Sequence, residues 1–180
     1  MQLTAQKHRV KKHNPRAGQI LIEVMIAISM SIISLIGFFG LLRASFQLTR
    51  ITSDNYVATH LAVEGVEVVA NIMQRNYIDT IRNGNGLFNA NMAQGSWEID
   101  YHTQQIDFST SRITNKPLNF DGTYYSYATG TPTQFYRVVD IGFEPASAPT
   151  MVSVTSTVFV DNSSNKPIAQ VHDMFYYWWR

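Results

Sequence analysis

The chain has 180 residues, of which 45% are apolar and 15% charged, too apolar for a disordered segment and sized for one folded unit with tails. Five of its fourteen Lys and Arg fall in residues 1–18 with no acid among them; the remainder carries nine bases against thirteen acids, a formal charge of −4, which argues against nonspecific grip on nucleic acid. The absence of cysteine excludes a thiol nucleophile, a Cys-ligated zinc site and a disulfide framework, while leaving an extracytoplasmic location open.

In chain order, the first feature is a basic leader carrying Lys7, Arg9, Lys11, Lys12 and Arg16. Then 23 residues, Ile20 to Leu42, hold a single charge, Glu23. As a helix this stretch would measure about 35 Å, enough to cross a hydrocarbon core of roughly 30 Å with some tilt. The basic flank predicts a cytoplasmic N-terminus, with everything after Arg43 on the far side. A secretory signal peptide would have an apolar stretch of about 7–15 residues and a small-residue cleavage site after it. This stretch is longer, and no clear site follows. A plain signal anchor fits length and topology but leaves Glu23 unexplained. A carboxylate at the bilayer centre costs about 2.5–3.5 kcal/mol, less towards the end of the span, and intramembrane acids generally pair with a cation.

The segment RAG-QILIEVMIAIS, Arg16 to Ser29, resembles the class III signal of type IV prepilins and pseudopilins. The resemblance implies cleavage by a membrane prepilin peptidase between Gly18 and Gln19, on the cytoplasmic side. Glu23 then becomes the fifth residue of the mature chain, where the family carries its glutamate. In the resembled filaments that glutamate pairs with the N-terminal amine of a neighbouring subunit. Members often begin with an aromatic residue and are N-methylated by the same peptidase. Here the mature chain would begin with Gln19, which can be methylated or can cyclise. The implied partners are the peptidase/N-methyltransferase, other pilin-like subunits, an assembly platform, and membrane lipid before assembly.

Gly37 and Gly40, late in the span, each cost about 1 kcal/mol of helix propensity relative to Ala. They read either as glycines ordinary in a membrane helix or as a weak point where the helix can bend. Residues 43–77 continue helically without proline. Val57, Leu61, Gly65, Val68 and Ile72 recur at three- and four-residue spacing, flanked by Ala58, Ala62, Val69 and Met73, so one stripe of an amphipathic helix is expected to cover a sheet. The stretch from His60 to Tyr77 is similar to a segment of minor-pilin-like proteins. Glu64 and Glu67 are expected on a solvated helix face, and His60 at the surface.

Residues 82–95 read as an Asn/Gly loop. Strands are expected over 96–103, 134–143, 151–160 and 168–179. A long irregular connection over 104–133 holds a short strand near Tyr124–Tyr127, and 161–167 forms a turn. Short strands with hairpin connections predict an antiparallel sheet. The expected class is α+β: a leader over 1–18, a transmembrane or filament-core helix over 19–42, an amphipathic helix over 43–80 and a β-sheet domain over 81–180. Adjacent residues Trp178 and Trp179 on a strand face opposite ways, so one is a candidate subunit contact. No metal-binding or nucleophile motif appears, and Asp161, Asn162 and Asn165 fit a turn better than a calcium loop. No cofactor and no enzymatic activity are expected. The expected role is that of a structural subunit of a type IV pilus or pseudopilus. Minor pilin is favoured because the chain lacks the disulfide loop common in major pilins. The alternatives are a type II secretion pseudopilin, or a filament-displayed module for adhesion or DNA uptake. The expected location is the inner membrane as a single-pass protein, then an extracytoplasmic filament.

Overall fold

The computed structural model describes residues 16–84, 87–106, 114–146, 149–160 and 166–176. By internal contacts the chain divides into two compact units, 1–50 and 51–180. The elements are one helix, α1 (Arg16–Asn83), and seven strands: β1 (Gly95–Trp97), β2 (Asn119–Phe120), β3 (Tyr125–Ser126), β4 (Thr131–Pro132), β5 (Phe135–Glu144), β6 (Met151–Val160) and β7 (Ala169–Tyr176). Strands β1-β5-β6-β7 form an antiparallel sheet in that order, and β3-β2-β4 a small second one. The class is therefore α+β.

Within the second unit, the expected apolar stripe is the face of α1 that packs on the larger sheet. Ala58, Leu61, Ala62, Val68, Val69 and Ile72 are buried there. Strand alternation supplies the opposing surface. Val152, Val154 and Val158 of β6 and Phe135, Val139 and Ile141 of β5 point to the helix, because residues two apart share a face. Val66 joins this core although it lies off the spacing read from the sequence. The β5/β6 register sets Val139 opposite Ser156, and Gly65 of α1 sits over that pair. A Cβ at Gly65 would lie 3.1 Å from Val139 Cγ2 and closer still to Ser156 Oγ, so the absent side chain permits the approach of helix to sheet. Gly65→Ala is expected to destabilise the protein by about 1–2 kcal/mol, because overpacking of roughly 1–3 kcal/mol outweighs a helix-propensity gain of about 1 kcal/mol. Ser156 Oγ is buried without a hydrogen-bond partner among the described residues. Adding Ser156→Ala should therefore recover part of the loss, and denaturant titration of the two variants checks both signs.

Three expectations are corrected by the structure. The amphipathic helix, expected to end at 80, runs to Asn83, where the Gly84 amide closes it on Thr80 O at 2.9 Å. Buried Asn76 accounts for the extension. Its amide donates to the carbonyls of Phe88 and Ala90, so the returning loop is tied along the last turns of the helix. The strand expected over 96–103 is only Gly95–Trp97. Beyond it the Asp100 carboxylate accepts from the His102 amide at 3.1 Å and from Thr103 Oγ1 at 3.3 Å, which bends the chain into a turn instead of a ladder. The 104–133 connection is not simply irregular: it builds the β3-β2-β4 sheet, with Asp121 Oδ1 accepting from the Thr123 and Tyr124 amides at 2.8 Å in the β2–β3 turn. Those two hydrogen bonds hold the Asp121 carboxyl below its usual range. Strands β5 and β6 match their expected extents closely, and β7 ends at Tyr176 with residues 177–180 outside the described set.

The least expected core residue is Arg137. On β5 it stands in a row otherwise made of Phe135, Val139 and Ile141, with its side chain fully buried. Nη1 donates to Leu61 O at 2.9 Å, Nη2 donates to Ile99 O, and Glu64 Oε1 lies 3.4 Å from Nη1. The guanidinium thus joins the helix, the sheet and the 98–103 turn. Tyr127 closes the same cluster: its hydroxyl donates to Arg137 O at 3.0 Å, and its amide donates to Asp100 Oδ2 at 3.0 Å. Burial pushes the Tyr127 phenol well above its ordinary value, so it stays a hydrogen-bond donor. Glu64 is a correction of detail. It is not a freely solvated side chain but the half-exposed partner of this arginine.

Candidate functional site: an exposed apolar helix with one carboxylate

Among the described residues, α1 is the one helix long and apolar enough to cross a membrane, and no residue of its most apolar window is buried. Ile20, Leu21, Ile33, Ile36, Phe39 and Leu41 are each more than 60% exposed. An exposed apolar surface of that extent is of the kind that marks contact with lipid or protein. Ser29, Ser31 and Ser34 each donate to the carbonyl four residues back, Met25, Ala27 and Met30, at 2.7–2.8 Å. Their hydroxyl hydrogens are thereby satisfied inside the helix.

Glu23 stands apart from this pattern. It is exposed, and no ionic partner for it exists among the described residues. Gln19 lies one turn before it, and the two line a shallow groove with Ile22, Ile26, Ala27 and Met30. Gly18 is exposed within the first helical turns, and a Cβ there would meet no heavy atom within 4 Å. The helix continues unbroken through Gly37 and Gly40, both facing open space. Trp178 and Trp179, and the 161–165 turn with Asp161, Asn162 and Asn165, lie outside the described residues. His60 is at the surface, its ring 4.4 Å from that of Tyr56. Among the described residues no group of three or more His, Cys, Asp or Glu could hold a metal ion.

A long N-terminal helix, apolar and exposed at its start and packed on an antiparallel sheet in its later turns, defines a pilin-like α+β architecture with a helix capable of anchoring it in a membrane. Comparison with known families, with curated proteins and with solved structures returned no match.

Proposed function

We propose that the chain is a prepilin-type structural subunit, cut after Gly18 and polymerised through its N-terminal helix into a type IV pilus or pseudopilus, with a minor-pilin role favoured. The observation that carries the reading is the lone carboxylate of Glu23, one helical turn after Gln19 on an otherwise apolar exposed helix. Cleavage before Gln19 creates an ammonium group close to where that carboxylate is needed. Two such charges at ~4 Å attract by about 4 kcal/mol at an effective dielectric near 20, before desolvation is subtracted. The apolar span serves as lipid anchor in the single subunit and as core in the filament, so the same surface is covered in both states.

In this reading the protein works by assembly and catalyses nothing. Its partners are a prepilin peptidase, other pilin-like subunits and an assembly platform at the cytoplasmic membrane. Intact-mass and N-terminal analysis of the protein from its native host tests the cut: the mature chain should begin at Gln19, methylated, cyclised or unmodified. Gly18→Glu should leave the full-length precursor in the membrane. An intact start methionine in the unmutated protein, or trimming elsewhere, overturns the assignment.

A further inference from the structure

From Val24 to Ser53 the chain holds two charges, Arg43 and Arg50, and no acid. Arg43 is the first residue beyond the apolar span that ends at Leu42. A spacing of seven residues places the two arginines on one face of α1, about 10 Å apart along its axis. Phe39 and Phe46 share that face, so aromatic and cationic side chains alternate at four-, three- and four-residue spacing. All four are exposed, Phe39 by 63% and Phe46 by 72%. Neither arginine has an acidic partner among the described residues. Asp54, the next acid in the chain, accepts from Gln134 Nε2 at 2.9 Å. Residues 39–50 lie wholly in the unit 1–50.

The position along the helix selects the partner. With the span in hydrocarbon, Arg43 stands at its boundary, and the headgroup layer extends roughly 5–8 Å beyond. Helical side chains slant towards the N-terminus, here towards the bilayer, and the long arginine stem carries its charge along the surface. Arg50 therefore reaches back to the same layer from about two turns further out. A guanidinium meets a phosphate through two parallel hydrogen bonds and sheds water more readily than an ammonium does. Phe46, set between the two arginines, has no shelter on the helix and gains it at the acyl-chain boundary. The same helix of a second copy offers no free acid at this height, since none occurs between Glu23 and Asp54. We propose that Arg43 and Arg50 bind the phosphate headgroup of anionic phospholipid, with Phe39 and Phe46 against the adjoining acyl chains, so that the anchor selects charged lipid. The inference rests on the membrane-anchor half of the proposed function, and not on cleavage or polymerisation.

The test places the full chain in nanodiscs of phosphatidylcholine and phosphatidylglycerol in equal parts, with both faces of the disc open to solution. Co-elution with the discs verifies insertion, and circular dichroism verifies that each variant keeps its helix and sheet. Electron paramagnetic resonance of spin-labelled phosphatidylglycerol and phosphatidylcholine then reads which lipid the protein surface prefers. Phosphatidylglycerol should be preferred about fivefold or more, since one basic residue near an anionic surface is worth about that factor. Arg43→Gln/Arg50→Gln should bring the preference to within about twofold of parity. Arg75→Gln/Arg82→Gln, which removes equal charge from the unit 51–180, should leave it unchanged. At matched ionic strength, inorganic phosphate and an oligoglutamate peptide should displace the labelled lipid no better than chloride does. No preference in the unmutated chain, a preference that survives Arg43→Gln/Arg50→Gln, or displacement by phosphate (a free-anion site) or by the peptide (a protein partner) would each overturn the proposal while leaving the anchor intact. A chain that fails to enter the discs would overturn the anchor reading as well.

Discussion

Glu23→Val is expected to insert into the membrane as well as the unmutated chain and to be incorporated into filaments at least tenfold less. Insertion should not suffer, because the change removes a carboxylate whose burial in hydrocarbon costs up to about 2.5–3.5 kcal/mol. Incorporation should suffer, because the substitution deletes one half of the proposed ion pair and leaves the other half, an ammonium group, without a partner in an apolar core. Desolvation consumes part of the roughly 4 kcal/mol of attraction, yet a net loss of about 1.4 kcal/mol already corresponds to tenfold. Membrane fractionation and quantitation of the subunit in sheared filaments separate the two effects. Glu23→Gln should behave like Glu23→Val, since charge and not shape is at issue. Undiminished incorporation of both would remove the charge pair from the mechanism.

The second large effect concerns Arg137. Arg137→Ala is expected to lower stability by about 3–5 kcal/mol, because it empties the space of a large, fully buried side chain and leaves the Ile99 carbonyl without its donor. Arg137→Met refills the volume but leaves the Ile99 carbonyl without its donor, which costs about 1–3 kcal/mol. Glu64→Gln keeps an acceptor beside Nη1 but removes the counter-charge of a fully buried guanidinium, so it is expected to cost about 1–3 kcal/mol although the Glu64 side chain itself is 32% exposed. A larger loss for Ala than for Met in denaturant titrations separates the space the side chain fills from the hydrogen bonds it makes. A Met variant as stable as the unmutated protein would mean that the guanidinium contributes no net stabilisation.

Much of this architecture was legible from local pattern. The span from Ile20 to Leu42 announces itself by composition, and the stripe from Val57 to Ile72 by period. The strand at 151–160 follows from alternation, since each of these signals depends on neighbours a few residues apart. The shortened β1, the helix end at Asn83 and the small three-stranded sheet were not legible in that way. Each depends on a polar side chain choosing a backbone partner: Asp100 turning the chain after Trp97, Asn76 fastening the loop at 88–90, Asp121 closing the β2–β3 turn. Arg137 left one trace, a cation at an inward position of an apolar strand, but parity alone does not say which carbonyls would receive it.

By itself the sequence determined the exposed apolar helix, the solitary Glu23 within it and the α+β class, because hydrophobicity and period act along the chain. Only the tertiary structure decided that Arg137 would bridge Leu61, Ile99 and Glu64, and that Gly65 would lie against Ser156. Those contacts join residues far apart in sequence. Their partners are selected by packing geometry and by the cost of leaving a buried polar group unmatched, neither of which a local window contains.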